Sequence, residues 1–84
     1  MNILVVDDEL GLRHTLTAIL GAEGHDTRAA STGEDALKTL SEADADIVLC
    51  DVRMPGIDGL SFLEKYKQAN GRALVIVMSA YGDD

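Results

Sequence analysis

The 84-residue chain is poor in cations, cysteine and proline, and these shortages exclude several classes of protein. It has 7 Lys and Arg against 15 Asp and Glu, and its net charge is −8. It therefore lacks the positive charge that binds nucleic acid or an anionic membrane directly. Its single cysteine, Cys50, excludes an intrachain disulfide framework and a cysteine-based zinc site. We expect Cys50 to be a buried thiol, which fits a reducing cytoplasm.

The chain also has no long apolar run. Residues 3–6 are apolar, but this run is too short for a signal peptide or a transmembrane helix and leads straight into Asp7, Asp8 and Glu9. With 84 residues the chain forms one domain at most, and its hydrophobic core will be thin. We therefore expect a soluble cytoplasmic protein with no membrane partner.

Short apolar runs alternate with segments of helical periodicity. The runs predict strands over residues 3–6, 26–30, 46–50 and 73–78. The first helix is predicted over residues 9–22 and the third over residues 59–69. The second helix is predicted to follow a capping segment at residues 31–34, and its apolar stripe extends to Ala43. The order βαβαβαβ predicts an α/β domain, in which right-handed crossovers form a parallel sheet covered by helices.

Acidic residues follow two of the predicted strands. Asp7 and Asp8 follow the first strand, and Asp51 ends the third. Asp51 alone is more typical of a loop residue after a buried strand, but if the first strand is central these acids meet at a strand spacing of roughly 5 Å. Crowded carboxylates repel each other and favour a cation, for which Mg²⁺ is well suited. Ser79, after the fourth strand, could donate a hydrogen bond to a phosphoryl oxygen or cap a following helix.

In these features the chain resembles the receiver domain of two-component response regulators. The resemblance rests on Asp7-Asp8, Asp51, the turn Met54-Pro55-Gly56-Ile57-Asp58-Gly59 and Ser79-Ala80, and it covers essentially the whole chain. It implies a flavodoxin-like (CheY-like) doubly wound parallel sheet, here truncated to βαβαβαβ, with strand order 2-1-3-4. The sequence around Asp51 and Ser79 is similar to that of receiver domains in the NtrC-like branch of the family.

The resemblance implies a role for each residue of the site. Asp51 is the expected phosphorylation site, which takes a phosphoryl group from a sensor histidine kinase. The expected cofactor is Mg²⁺, held directly by Asp8, Asp51 and the backbone carbonyl of Arg53. Asp7 is expected to act on the metal through water. The resemblance also implies that Ser79 and Ala80 bind the phosphoryl group and act as the switch. Met54, Pro55 and Gly56 are expected to form the loop beside the site.

The chain departs from the family by stopping after the fourth strand. We interpret residues 1–84 as one receiver domain without the region that carries the family's phosphate-binding lysine, and without an output domain. The lysines at hand, Lys38, Lys65 and Lys67, belong to the second and third helices. Self-phosphorylation and dephosphorylation are therefore expected to be impaired. The uncovered fourth strand and sheet face are expected to support a homodimer or higher oligomer.

Two rival functions remain open at this point. The chain could be a signalling-impaired fragment that acts only as a metal-binding or protein-interaction module. It could also be a small phosphohydrolase with an Asp nucleophile, although Asp7 and Asp8 are adjacent and the Asp-x-Asp pattern is absent. Nucleotide binding has little support, because neither a Walker loop nor a Rossmann fingerprint is present. We favour a signalling phosphoacceptor that is not an enzyme.

Overall fold

A four-stranded parallel sheet organises the computed structural model, which describes residues 1–52 and 58–78. The strands lie in the order β2-β1-β3-β4, which confirms the predicted 2-1-3-4 topology. In chain order the elements are β1 (Asn2–Val6), α1 (Leu10–Ala22), β2 (Asp26–Ala30), α2 (Gly33–Glu42), β3 (Ile47–Asp51), α3 (Gly59–Gln68) and β4 (Leu74–Met78). No helix within this described part of the chain is long and apolar enough to cross a bilayer.

The main core lies between the sheet and the helices α2 and α3. Leu4 and Val6 of β1 and Val48 and Cys50 of β3 are fully buried, and Phe62 of α3 packs against them. Residues 3–6 are all buried, because β1 is a central strand with neighbours on both sides. This confirms that the β-branched runs form interior strands of a parallel sheet.

Side chains cap the helices where the sequence predicts them. Thr32 Oγ1 accepts a hydrogen bond from the Asp35 amide at 3.0 Å and begins α2. Asp58 Oδ1 accepts one from the Ser61 amide at 2.8 Å and begins α3. Helix α3 ends at Gln68, and Asn70, which follows the C-cap residue, has a φ of 65° in the left-handed region that Asn tolerates. These caps fix the angle at which each helix leaves its strand.

Helix α1 is covered less than its apolar periodicity predicts. It has no fully buried side chain, and Leu12 and Ile19 are 37% and 55% exposed. The helix packs on β1 and β2, so its cover does not extend over β3 and β4. Glu9 lies at the N-cap position rather than inside the helix, and the first turn of α1 contains no acid.

A polar network closes the end of the sheet at which the strands begin. The Tyr66 hydroxyl donates to Asp44 Oδ1 at 2.5 Å and accepts from the Ala73 amide at 2.8 Å. The Asp44 carboxylate also accepts from the Ala45 and Arg72 amides. Partial burial, which raises the pKa of Asp44, is outweighed by these hydrogen bonds, so its pKa lies below the ordinary value. The network ties the end of α3 to the segments that enter β3 and β4.

Substitution Tyr66→Phe is predicted to destabilise the domain by about 1–3 kcal/mol, since it leaves the buried Ala73 amide without an acceptor. Urea unfolding measures the effect. The matched control is Ser41→Ala, which removes an exposed hydroxyl that donates only to Lys38 within its own helix. The control is expected to change the free energy of unfolding by less than about 0.5 kcal/mol. Equal effects of the two variants would contradict the structural role of Tyr66.

Candidate functional site

Three carboxylates meet at the carboxyl edge of the sheet. Val6 of β1 is the register partner of Cys50 of β3, so the residues that follow them, Asp7 and Asp51, come side by side. One carboxylate oxygen from each of Asp7, Asp8 and Asp51 lies within 4.8 Å of the other two. The prediction that parallel strand ends bring these acids together is therefore confirmed.

The three acids differ in their access to water. Asp7 is 1% exposed, Asp51 is half-buried and Asp8 is exposed. Asp7 Oδ1 accepts a hydrogen bond from the Glu9 amide at 2.8 Å, whereas its buried Oδ2 has no hydrogen-bond partner among the described residues. Burial raises the pKa of Asp7, the Glu9 hydrogen bond opposes this, and the charges of Asp51 and Asp8 raise it further.

This donor set fits a hard divalent cation such as Mg²⁺. Carboxylate oxygens are the ligands that Mg²⁺ prefers, and the ion commonly retains several waters. The gradient from a buried to an exposed acid suits an ion that is bound on one side and hydrated on the other. The unpartnered Oδ2 of Asp7 gives a physical reason for a cation here, since a buried acceptor without a partner is costly.

Arg13 supports the site from α1, and sequence reasoning missed it. Its Nη1 donates to the backbone carbonyl of Asp7 at 2.7 Å, which fixes the chain at the point where the acids begin. A cation near a helix N-terminus is unfavourable with respect to the helix dipole, so its position was an available signal. The lysines of the chain all lie on α2 and α3.

Helix α3 begins directly against the backbone of Asp51. The Gly59 amide donates to the Val52 carbonyl at 3.0 Å. A Cβ atom at Gly59 would lie 2.6 Å from the Asp51 carbonyl oxygen and 2.8 Å from Val52 Cα. This close approach requires glycine and sets the position of the strand end that carries Asp51.

Cys50 precedes Asp51 and is fully buried, as predicted for a structural thiol. Burial raises its pKa to about 12, and the neighbouring charges of Asp51, Asp7 and Asp58 act in the same direction. The thiolate is the reactive form of cysteine, so Cys50 is not a nucleophile at neutral pH.

Several predicted site residues lie outside the described residues. They are Arg53, Met54, Pro55 and Gly56 of the turn after β3, and Ser79 and Ala80 after β4. Their roles as metal ligand, loop and switch therefore stay predictions. A separate open cavity of about 300 Å³ lies between α2 and α3 beside Asp44 and Tyr66, at the opposite edge of the sheet from the acids.

Residues 3–84 match the family model of the response regulator receiver domain, and the chain belongs to this family. Members of the family are phosphoacceptor domains of two-component signalling, and the family resemblance read from the strand-end motifs is confirmed. Receiver domains bind Mg²⁺ at an acidic pocket and interact with histidine kinases. The described part of this chain contains a cluster of acids, Asp7, Asp8 and Asp51.

Among curated relatives, the chain is 38% identical over 82 residues to sporulation initiation phosphotransferase F of Bacillus subtilis. It is 37% identical over 82 residues to the regulatory protein AtoC of Escherichia coli and 39% identical over 82 residues to the DNA-binding transcriptional regulator NtrC of Proteus hauseri. The chain is covered to 98% in each case, but it spans only 66%, 18% and 17% of the three relatives.

Solved structures show the same fold. The response regulator protein TrrA from Thermotoga maritima, in complex with Mg(2+)-BeF, has a TM-score of 0.89 and 38% identity over 96% of this chain and 70% of that one. The receiver domain from the hybrid histidine kinase CckA has a TM-score of 0.89 and 37% identity over 98% and 78%. The flavodoxin-like fold class is therefore confirmed.

Substitution Gly59→Ala is predicted to destabilise the domain by about 1–3 kcal/mol, because the new methyl group overlaps the backbone of Asp51 and Val52. Chemical unfolding measures the loss. Gly21→Ala on α1 is the control, since its Cβ would meet no atom within 4 Å. The control should stabilise by about 0.5–1 kcal/mol, as alanine is the better helix former. A neutral Gly59→Ala variant would show that α3 does not need this close approach.

Proposed function

We propose that this chain is a phosphoacceptor that takes a phosphoryl group from a sensor histidine kinase onto Asp51, with Mg²⁺ as its cofactor. The observation that supports this most directly is the meeting of the Asp7, Asp8 and Asp51 carboxylates within 4.8 Å at the carboxyl edge of the sheet. Ligands of doubly wound sheets bind at this edge. The half-buried Asp51 ends a buried strand, so its position is held by the core.

In the proposed reaction, an oxygen of the Asp51 carboxylate attacks the phosphorus of a phosphohistidine. The new O–P bond replaces the P–N bond, and the imidazole leaves and takes a proton to return to its neutral form. The product is an acyl phosphate on Asp51.

Mg²⁺, when bound, would offset the negative charge of the carboxylates and of the transferring phosphoryl group. Asp8 and Asp51 would hold it directly with the carbonyl of Arg53, and Asp7 would act through water. Arg13 would keep the Asp7 backbone in place while the ion binds.

The remaining assignments complete the proposal. Ser79 and Ala80 would bind the phosphoryl group and relay its arrival, and the loop of Met54, Pro55 and Gly56 would shape the entrance. The similarity to NtrC and AtoC supports a place in the NtrC-like branch. A cytoplasmic location fits a kinase-linked domain whose one cysteine is a free, buried thiol. A self-associating chain is also part of the proposal.

Mg²⁺ at about 100 times its dissociation constant is predicted to raise the free energy of unfolding by about 2.7 kcal/mol. Urea unfolding with and without Mg²⁺ measures the gain. Asp8→Asn should remove most of it, since one of the grouped carboxylates is lost. Asp35→Asn is the control, because Asp35 is an exposed acid on α2 and should leave the gain unchanged. An equal response of both variants would mean that the ion binds elsewhere.

Incubation with Mg²⁺ and a small phosphodonor is predicted to add the mass of one phosphoryl group to the chain. Intact mass spectrometry measures the yield over time, and hydroxylamine trapping followed by peptide mapping locates the acyl phosphate. Asp51→Asn should abolish the modification, whereas Asp35→Asn should retain it. Beryllofluoride with Mg²⁺ should mimic the product and stabilise the parent but not the Asp51→Asn variant.

The outcomes separate the proposal from its rival. Mg²⁺ binding without any modification of Asp51 would favour the metal-binding module and overturn phosphoryl transfer by this chain. Modification of Asp51 that reaches only partial yield agrees with the expected impairment, whereas full and lasting modification would contradict it. Modification that persists in the Asp51→Asn variant would move the acceptor to another residue and contradict the assignment.

A further inference from the structure

An open cavity of about 300 Å³ lies between α2 and α3, at the end of the sheet where the strands begin. Leu37 and Leu40 of α2 line one side of it, and Tyr66 of α3 and Ala69 line the other. Its volume is at the lower end of the range for small-molecule sites, roughly 300–1,000 Å³. The cavity is at the opposite edge of the sheet from the three clustered acids, so the proposed phosphoryl transfer does not use it.

Asp44 is the only charged residue among the eight described residues that line the cavity. Its carboxylate accepts three hydrogen bonds, from the Tyr66 hydroxyl and the Ala45 amide at Oδ1 and from the Arg72 amide at Oδ2. A carboxylate has about four acceptor positions, so the described residues leave one position on Oδ2 unused. Partial burial raises the pKa of Asp44, but these hydrogen bonds outweigh it and hold the pKa below the ordinary value. Asp44 is therefore charged at neutral pH and can accept one more hydrogen bond.

Two helix ends add to the negative potential of the cavity. Helix α2 ends at Glu42 and α3 ends at Gln68, and residues at both ends line the cavity. The carboxyl-terminal end of a helix has the negative pole of the helix dipole. The last turn of α2 contains no basic residue, whereas Lys65 and Lys67 in the last turn of α3 are exposed and offset part of that pole without lining the cavity. The charges around the cavity therefore favour a positively charged occupant.

We propose that this cavity binds a small organic cation, a protonated primary amine attached to a short apolar group. The ammonium donates to the unused position on Asp44 Oδ2. It also donates to Ser41 Oγ, which itself donates to the Lys38 carbonyl at 2.7 Å and keeps lone pairs with which to accept. The apolar group packs against Leu37 and Leu40. The inference is independent of phosphoryl transfer.

The hydrogen bonds of Asp44 favour an ammonium over a guanidinium. A guanidinium pairs best with both oxygens of a carboxylate through two parallel bonds, whereas an ammonium is a compact charge that bonds one oxygen. Oδ1 of Asp44 already accepts from Tyr66 and Ala45, so the second bond of a guanidinium pair has no free position. Asp44 is exposed, and exposed charge pairs contribute little. We therefore expect a dissociation constant on the order of 1 mM for a small amine.

Titration of the isotope-labelled chain with phenethylamine, followed by amide NMR resonances, tests the site. The amides of Ser41, Asn70 and Gly71 should shift, because these residues line the cavity, whereas those of Asp8 and Glu9 should not. Phenethyl alcohol keeps the ring but has no charge, and should bind at least about fivefold more weakly. Shifts centred on Asp8 and Glu9 would indicate general attraction of an amine to an acidic chain and overturn the proposal. Equal binding of the alcohol would overturn it as well.

Two further probes test the chemical class of the ligand. Phenethylguanidine has the same ring with a planar cation and should bind more weakly than phenethylamine, because Oδ1 of Asp44 is occupied. Nα-acetyl-lysine amide presents the same ammonium as a lysine of another protein would, and it should also bind more weakly, since its longer chain loses more freedom. Tighter binding of the guanidine would reject the ammonium, and tighter binding of the lysine amide would reject a small molecule as the ligand.

Charge changes at the cavity give a second readout. Asp44→Asn should weaken phenethylamine binding about three- to fivefold, but it also alters the network with Tyr66. Ser41 is exposed and lies outside that network, so Ser41→Lys should weaken binding and Ser41→Glu should tighten it, each by about two- to threefold, in a folded chain. Asp35→Asn, at the other end of α2, changes the net charge as Ser41→Lys does and is the control. Equal effects of Ser41→Lys and Asp35→Asn would reduce the interaction to net charge and reject the cavity as its site.

Discussion

The crowding of three carboxylates at one edge of the sheet is the constraint on which the rest of the structure depends. Asp7, Asp8 and Asp51 would separate if they were free to move, because like charges repel. They are held within 4.8 Å of one another since β1 and β3 are neighbouring strands with a fixed register. Leu4 and Val6 of β1 and Val48 and Cys50 of β3 are fully buried, so the two strands cannot shift without exposing the core.

The crowding of the acids lowers the stability of the fold, and the pKa of Asp7 shows how this effect depends on pH. The pKa of Asp7 is raised above its unfolded value, chiefly by burial, so the folded state holds the proton more tightly than the unfolded chain. Stability therefore falls as the pH rises from the unfolded pKa through the folded one, and Asp7 destabilises the fold once it is ionised. A bound cation reverses part of this cost, which links metal binding to folding. The hydrogen bond from Arg13 holds the backbone at Asp7, and the close approach of Gly59 holds the backbone at Asp51.

Much of the fold could be predicted because local and tertiary preferences agree. The runs that form β1 and β3 are β-branched and sit between helices with clear caps at Thr32 and Asp58, and acids at strand ends follow directly from the parallel order. What failed depended on neighbours that periodicity does not reveal. The stripe of α1 has the right spacing, yet Ile19 is exposed because the helix covers only β1 and β2.

Contacts between distant residues were the other limit. Asp44 belongs to no motif in the sequence, but it accepts a hydrogen bond from Tyr66, 22 residues away, and holds the ends of two elements together. The position of Arg13 near the start of α1 was a signal, but its partner, the backbone carbonyl of Asp7, could not be read from the sequence. Such contacts are set by how whole elements pack, which local patterns do not specify.

The two edges of the sheet show how the same pattern acquires different meanings. β2 is the other edge strand, and its sequence DTRAA contains Asp26 and Arg28, charges that keep an edge in solution. β4, LVIVM, has the composition of the interior strands although it also lies at an edge of the described sheet. Composition therefore distinguishes the edge strand β2 from the interior strands, but it does not distinguish β4 from them.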